Sequence, residues 1–204
     1  MMRRMNFLKL LLLLCLTLLV IGCSSQPSRP NTRWVEIAGR SNPQPIYRVK
    51  VPLHWQRIEP TGDRQDTTVA IAEFSVDNKI RITIHNFPVS SPEERIPPNA
   101  QIARWKRQFE KLNPTSVQVS PQAFSGYSGL VFEGNGEIKG QPATMLGWSM
   151  QLAPEFYRQP LNANIKADYT IKVQGDPARI ETEKKALFAF ARSFELIHPI
   201  PLSL

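Results

Sequence analysis

The stretch TVAIAEFSVDNKIRITI (Thr68–Ile84) decides the fold. From residue 80 to residue 84, isoleucine alternates with polar residues, which is the pattern of a β-strand with one buried face. A second strand is indicated from Thr68 to Val76, and Asp77-Asn78 between the two is typical of a tight turn, because both residue types tolerate left-handed backbone. The sequence therefore predicts an antiparallel hairpin with one apolar face.

Further strands are indicated on both sides of this hairpin. Upstream, Tyr47, Val49 and Val51 alternate with basic residues, and the run from Arg33 to Gly39 is a candidate first strand. Downstream, apolar runs predict strands at about 117–124, 129–134, 143–152 and 169–173, with a short edge strand at 194–197. Strands that follow one another in this way favour an antiparallel sheet.

Two amphipathic helices are predicted. The first spans Asn99–Leu112, with an apolar stripe at Ile102, Trp105, Phe109 and Leu112 and a basic remainder. The second begins at Asp176-Pro177, an N-cap followed by proline at the first helical position. The expected fold class is α+β, an antiparallel β-sheet with two amphipathic helices packed on it.

Three segments carry a resemblance to a known family. They are Val51-Pro52-Leu53-His54-Trp55, the run Ser128–Gly134, and the strand-to-helix ending from Tyr169 to Phe194. The order of elements over about 46–197 resembles the PsbP-like fold, named for an extrinsic subunit of photosystem II. The resemblance implies a binding or assembly module and not an enzyme. It carries over no metal site and no partner-binding residue.

The amino terminus has the pattern of an export signal. Arg3, Arg4 and Lys9 precede an apolar run from Leu10 to Ile21, which at about a dozen residues is shorter than the roughly 20 of a membrane span. The run ends in Gly22-Cys23, which resembles the lipobox of bacterial lipoproteins. The resemblance implies cleavage before Cys23 and attachment of diacylglycerol and an N-acyl lipid to it. A signal cut at an ordinary small-residue site is the alternative.

This leader sets the expected organisation of the chain. Residues 1–22 are a lipoprotein signal peptide, 23–45 a lipidated tether and linker, and 46–204 an α+β globular domain. Removing the leader lowers the formal charge from +8 to +5, a modest basic excess without the concentrated basic stripe that nucleic-acid binding needs. By the lipoprotein resemblance, serine at position 24 favours the outer membrane over the inner membrane.

The sequence offers no catalytic, metal-binding or cofactor-binding residue. His54, His85 and His198 stand apart without metal-ligand spacing, and Cys15 and Cys23 leave the domain without a free thiol. Ser125–Gly129 lacks the spacing of a nucleophile elbow, and Gly134–Gly140 is interpreted as a hairpin turn. No cofactor is expected apart from the lipid on Cys23.

The expected function is a non-catalytic binding or scaffolding module at the membrane surface of the bacterial envelope, with an envelope protein as partner. Two candidate contact surfaces are the aromatic pair Phe156-Tyr157 and the basic helix face, which consists of Arg104, Lys106, Arg107 and Lys111. The alternative is a carrier that holds a hydrophobic molecule or lipid between sheet and helices. Its cavity would be lined by Trp105, Phe109, Trp148 and Phe188.

Overall fold

The structure is a computed structural model that describes residues 31–40, 44–63, 65–89, 91–153 and 167–198. The leader, Cys23 and the pair Phe156-Tyr157 lie outside these residues. From Thr32 onward, the chain forms one compact unit of two antiparallel sheets and two α-helices in the part that is described. The predicted α+β class is confirmed.

The larger sheet contains the hairpin predicted within Thr68–Ile84. Its strands are β3 (Gln56–Ile58), β4 (Ala72–Val76), β5 (Ile80–Pro88), β6 (Lys111–Leu112), β7 (Gln118–Phe124), β8 (Tyr127–Ile138), β9 (Gln141–Leu152) and β10 (Ala167–Gly175). Their spatial order is β3-β4-β5-β10-β9-β8-β6, with β7 also paired to β8, and every pairing is antiparallel.

The smaller sheet shows that the folded unit begins earlier in the chain than predicted. It has the order β1-β2-β11, formed by β1 (Thr32–Ala38), β2 (Pro45–Pro52) and β11 (Glu195–Leu196). In β1, Val35 and Ile37 are buried in the main core. The linker predicted for 23–45 therefore includes a core strand, and the domain start predicted at residue 46 is too late. The apolar side chains of β1 need the partner strand and the core to remove them from water.

The first helix is shorter than predicted. Helix α1 spans Pro98–Lys106, and the chain then turns to form β6, which pairs with Gly136 and Glu137 of β8. A Cβ atom on Gly136 would stand 2.2 Å from the Lys111 carbonyl oxygen, so the missing side chain lets β6 approach. The residues of the predicted apolar stripe still pack together. Phe109 lies in the loop after α1 and not in the helix, and its side chain is buried in the same cluster as Ile102 and Trp105.

The second helix matches its prediction. Helix α2 spans Pro177–Arg192, and the Asp176 side chain accepts a hydrogen bond from the Arg179 N–H at 2.8 Å. Its apolar side packs into the main core through Ile180, Leu187 and Phe190. The cap and the proline therefore fix where the helix begins.

Tight turns join the meander. Positive φ angles occur in pairs at Asp77-Asn78, Ser125-Gly126 and Lys139-Gly140, each pair lying between two paired strands. In the segment Ser125–Gly129, which lacks the spacing of a nucleophile elbow, the turn consists of Ser125-Gly126, and the last three residues begin β8. The turn predicted for Gly134–Gly140 is confined to its last two residues, because the first five extend β8.

The larger sheet separates two layers of side chains. One face, here called the core face, packs against α2 and the smaller sheet and contains Phe74, Ile82, Trp148 and Ile171. The opposite face carries α1, whose Trp105 and Ile102 cover the β8 and β9 strands with Phe132 and Met145. Helix α1 packs against β8 and β9, and polar residues occupy the β5–β10 part of this opposite face.

Candidate functional site

A polar groove runs along this opposite face beside α1. Strands β5 and β10 are adjacent there, with Lys172 directly across from Thr83 and Gln174 across from Arg81. The groove has two adjoining compartments that share Gln108 and Lys172. We call it the polar groove and define it by Arg81, Thr83, His85, Gln101, Arg104, Gln108, Glu110, Lys139, Lys172 and Gln174.

The larger compartment has a volume of about 420 Å³. Its floor is the β5–β10 pair, and its walls are the segment after α1 and the turn between β8 and β9. Arg81, Lys139 and Lys172 bring three cationic side chains to its lining, against the single carboxylate of Glu110. Four separate parts of the chain thus meet around a space with a positive surplus.

The smaller compartment has a volume of about 270 Å³ and follows the flank of α1. Gln101 and Arg104 come from the helix, and His85 and Thr170 come from the sheet below it. Arg104 extends the basic lining of the groove along the helix.

Lys172 lies where the two compartments meet. Its Nζ atom donates a hydrogen bond to Gln108 Oε1 at 3.3 Å. Among the described residues, Lys172 forms no ion pair. Burial lowers the pKa of Lys172, and the nearby positive charge of Arg81 lowers it further. Both effects disfavour the ammonium form, and an anion in the groove would reverse them.

Two other charged groups of the larger compartment, Arg81 and Glu110, are held by neighbours. Arg81 donates to both carboxylate oxygens of Glu73, at 2.6 Å and 2.8 Å, and this hydrogen bonding raises the pKa of Arg81. Glu110 accepts the Gly140 N–H at 3.1 Å and thereby ties the wall after α1 to the hairpin turn. The carboxylates of Glu73 and Glu110 are thus engaged by neighbours, whereas the hydrogen bond that Lys172 makes to a described residue is to the Gln108 amide.

Two buried polar atoms at the groove lack a hydrogen-bond partner in the part of the chain that the structure describes. They are Thr83 Oγ1 and Gln101 Oε1, on residues that are 7% and 8% exposed. An unsatisfied buried polar atom costs about 1–3 kcal/mol, so each of them favours a ligand or water that can complete its hydrogen bonding.

The three histidines lie in different surroundings. His85 Nε2 is 3.2 Å from the Thr68 carbonyl oxygen, and burial lowers the pKa of this imidazole. His54 Nε2 is 3.2 Å from Glu183 Oε1 beside α2, and His198 is exposed. Only His85 lines the polar groove.

The four residues of the predicted basic helix face do not form one continuous surface. Arg104 lines the smaller compartment, whereas Lys111 lies in β6 and pairs with Glu137 at 2.9 Å. Lys106 and Arg107 are at the end of α1. The shorter helix has therefore divided the four predicted residues among different sites.

The aromatic residues predicted to line one carrier cavity lie on opposite faces of the sheet. Trp105 and Phe109 belong to the cluster under α1, with Phe132 between them. Trp148 belongs to the main core and packs edge-on against Phe188, with ring centroids 5.1 Å apart. The predicted shared lining is wrong, because the sheet itself separates the two pairs.

The residues of the groove floor were not predicted from the sequence. Arg81, Thr83, Lys172 and Gln174 occupy the polar positions of alternating strands, which by sequence indicate only a face turned away from the core. Their convergence depends on the pairing of β5 with β10, two strands that are distant in sequence. A polar row on each of two strands was the available signal.

Among the described residues, no helix combines the length and apolar character that crossing a bilayer requires.

Comparisons with known proteins support the fold. No family model matches the sequence, and no match is found among curated proteins. Cyanobacterial PsbP (CyanoP) from Synechocystis sp. PCC 6803 is similar in structure, with a TM-score of 0.55 and 10% identity over 86% of this chain and 98% of that one. LpqN of Mycobacterium tuberculosis, involved in cell envelope biogenesis, has a TM-score of 0.51 and 11% identity over 81% and 91%. The predicted PsbP-like fold is thereby confirmed.

Proposed function

We propose that this protein is a lipid-anchored lipoprotein of the bacterial envelope, and that its domain is a non-catalytic binding module at the membrane surface. The observation that carries the binding role is the polar groove around Lys172. It presents a cation, amides and an unpartnered hydroxyl on a rigid sheet. These are groups that hold a ligand through charge and hydrogen bonds.

The geometry of the groove supports binding over chemistry. The imidazole of His85 donates to a main-chain carbonyl, and Glu110 accepts from a main-chain N–H. General acid–base catalysis instead needs a titratable group within hydrogen-bonding distance of a reacting atom and tuned for proton transfer. The side chains of the groove are arranged as hydrogen-bonding and charged walls.

The envelope location rests on the leader. The positively charged start, the apolar run and the sequence Leu19-Val20-Ile21-Gly22-Cys23 match the lipobox pattern. Diacylglycerol and an N-acyl chain on Cys23 would hold the domain at the membrane, and serine at position 24 favours the outer membrane. Such tethering raises the effective concentration of the groove near envelope components, so that weak contacts suffice for function.

The anchoring part is tested by metabolic labelling with a palmitate analogue in the native host. Cys23→Ser is expected to remove the label, and Cys15→Ser, the matched control in the apolar run, is expected to keep it. Label retained on the Cys23→Ser protein would refute the attachment site.

The binding part is tested by placing a photo-crosslinking amino acid at one of two exposed positions in the full chain. Gln108 lies at the centre of the polar groove, and Lys185 lies on α2, which packs on the core face. We expect crosslinks to an envelope component from position 108 and few from position 185. Crosslinks that are equal from both positions, or stronger from position 185, would contradict the proposal.

A further inference from the structure

The charge of the polar groove limits the class of ligand that it fits. Glu73 compensates Arg81 through two hydrogen bonds, which leaves Lys139, Lys172 and Glu110 to set the charge of the larger compartment. Two cations against one carboxylate leave a surplus of a single positive charge. A ligand with one negative charge balances this compartment, and Arg104 in the adjoining compartment adds attraction for an anion.

The uncharged groups indicate what surrounds that negative charge. Thr83 contributes the unpartnered hydroxyl, and Gln108 and Gln174 contribute amides that both donate and accept. In the smaller compartment, the unpartnered Oε1 of Gln101 is available to accept a hydrogen bond from a ligand. An acceptor beside a basic lining favours a ligand that also carries hydroxyl donors. The size of the larger compartment, about 420 Å³, exceeds that of a lone inorganic anion.

A phosphodiester of a hydroxylated compound has this combination of properties. It carries one negative charge near neutral pH, and its oxygens accept from an ammonium group and from a hydroxyl. Its flanking alcohols can donate to Gln101 and accept from the amides. Lysine binds phosphate as a compact point charge, in agreement with the position of Lys172.

We propose that the polar groove binds a hydroxylated phosphodiester, with Lys172 and Thr83 contacting the phosphate oxygens and the glutamines contacting the hydroxyl groups. This inference deepens the proposed binding function and rests on it. The same chemistry has two sources, the glycerophosphate headgroup of an anionic phospholipid and a free glycerophosphodiester. Occupation of the groove raises the pKa of Lys172, opposing the effect of its burial.

The test measures the acetylation rate of Lys172 in the intact lipidated protein, held in nanodiscs of phosphatidylcholine. A bound phosphodiester shields the amine and favours its unreactive ammonium form, so acetylation of Lys172 falls several-fold while that of exposed Lys185 stays constant. In one arm, the soluble probe glycerophosphoglycerol is added. In the other arm, phosphatidylglycerol replaces part of the nanodisc lipid.

Protection of Lys172 from acetylation by glycerophosphoglycerol supports the proposal and identifies a free glycerophosphodiester as a possible ligand. Protection only with phosphatidylglycerol supports it with the membrane headgroup as the source. An unchanged acetylation rate of Lys172 in both arms overturns the proposal, and so does equal protection by uncharged glycerol. Because these measurements use the wild-type chain, they do not depend on whether a variant folds.

Variants then assign the contacts. Affinity for the protecting ligand is expected to fall about tenfold in Lys172→Met, as when one charged hydrogen-bonding partner is removed. It is expected to fall several-fold in Thr83→Val and to stay unchanged in Lys185→Met. Equal affinities for Lys172→Met and Lys185→Met would contradict the assignment. If fatty-acid labelling shows no lipid on Cys23, the anchoring proposal fails, and the soluble arm still tests the groove.

Discussion

At the scale of single residues, a buried ion pair fixes the segment that leads from β5 to α1. Arg95 donates to both oxygens of Asp168, at 2.9 Å and 2.6 Å, and the two side chains are 7% and 8% exposed. Asp168 also accepts the Leu152 N–H at 3.0 Å. The carboxylate thus joins β9, β10 and the loop before α1 at one end of the sheet.

Removing this carboxylate is expected to be costly. Asp168→Ala leaves the buried guanidinium of Arg95 without its anion, which is expected to lower the free energy of unfolding by about 3–5 kcal/mol. Glu181→Ala serves as the control because Glu181 is 75% exposed and lies 3.6 Å from Lys184. Its expected cost is below about 0.5 kcal/mol. Urea unfolding at neutral pH compares the two, and equal losses would contradict the structural role of Asp168.

His85 makes stability depend on pH. Burial lowers the pKa of His85 first, and the charges of Lys172 and Arg40 lower it further, against the opposing Thr68 carbonyl and Glu73. In the unfolded chain the imidazole titrates near its ordinary pKa of about 6.5. The folded protein therefore binds fewer protons, so this contribution is complete above that pH and is lost as the pH falls through the lower folded pKa.

We expect the free energy of unfolding to decrease between about pH 7 and pH 5, and His85→Gln to flatten that decrease. His198→Gln, which changes an exposed imidazole, is the matched control. Urea unfolding at several pH values measures the slope, and NMR titration of the imidazole gives its folded pKa. A His85 pKa at or above the ordinary value would refute the prediction.

At the scale of elements, α1 rests on the sheet because β9 has a glycine beneath it. A Cβ atom on Gly147 would lie 2.3 Å from the ring of Trp105, closer than any carbon contact allows. Trp105 is 2% exposed and is the largest side chain that α1 buries. The position of α1 on the sheet therefore depends on the absence of a side chain at Gly147. The wall that α1 forms in the smaller compartment depends on it as well.

Gly147→Ala is therefore expected to displace Trp105 and to lower the free energy of unfolding by about 1–3 kcal/mol, the usual cost of overpacking. Gln141→Ala, exposed at the start of the same strand, is the control and should change little. Chemical denaturation measures both, and tryptophan fluorescence follows the ring. A Gly147→Ala protein with wild-type stability and fluorescence would contradict this packing.

Some secondary-structure elements and their pairings could be predicted from the sequence, and others could not. Local patterns were sufficient for the β4–β5 hairpin, for the β7–β9 meander and for α2, because alternation, turn residues and a cap lie within a few residues of one another. The pairing of β5 with β10 was not readable, since strands distant in sequence carry no local signal for each other. The polar groove was missed for that reason.

Two element boundaries were also set by distant contacts. The apolar stripe from Ile102 to Leu112 predicted one long helix, but Gly136 offers β6 a close backbone partner and the helix ends at Lys106. The polar and proline-rich surroundings of β1 placed its candidate strand, Arg33 to Gly39, inside the predicted linker. Burial of Val35 and Ile37 against the main core makes that strand part of the folded unit.

At the scale of the whole molecule, three tyrosines join the two sheets. Tyr47 of β2 lies in the smaller sheet, and Tyr127 and Tyr169 lie on the core face of the larger one, with their rings 4.7 Å apart. Phe194 packs against both Tyr47 and Tyr169, at centroid distances of 4.9 Å and 4.3 Å. Each of these tyrosines is at most 2% exposed.

Burial raises the pKa of Tyr47 to about 12 and raises those of Tyr127 and Tyr169 well above the ordinary value. Their stabilising contribution is complete below the unfolded pKa of about 10 and is lost as the pH rises through the folded values. We expect the three phenols to ionise together with unfolding in alkali. In a Tyr157→Phe protein, which retains only these three tyrosines, phenolate absorbance and circular dichroism should change over the same pH range. Phenol ionisation near the ordinary pKa of about 10 while that protein stays folded would refute this.

We propose that lipid on Cys23 holds this domain of PsbP-like fold at a bacterial membrane, and the covalent state of the mature amino terminus tests this most directly. Mass spectrometry of the protein extracted from membranes of its native host is predicted to find an amino-terminal peptide that begins at Cys23 and carries diacylglycerol and an acyl chain. A peptide with an unmodified Cys23 thiol, or with the leader still attached, would contradict the account.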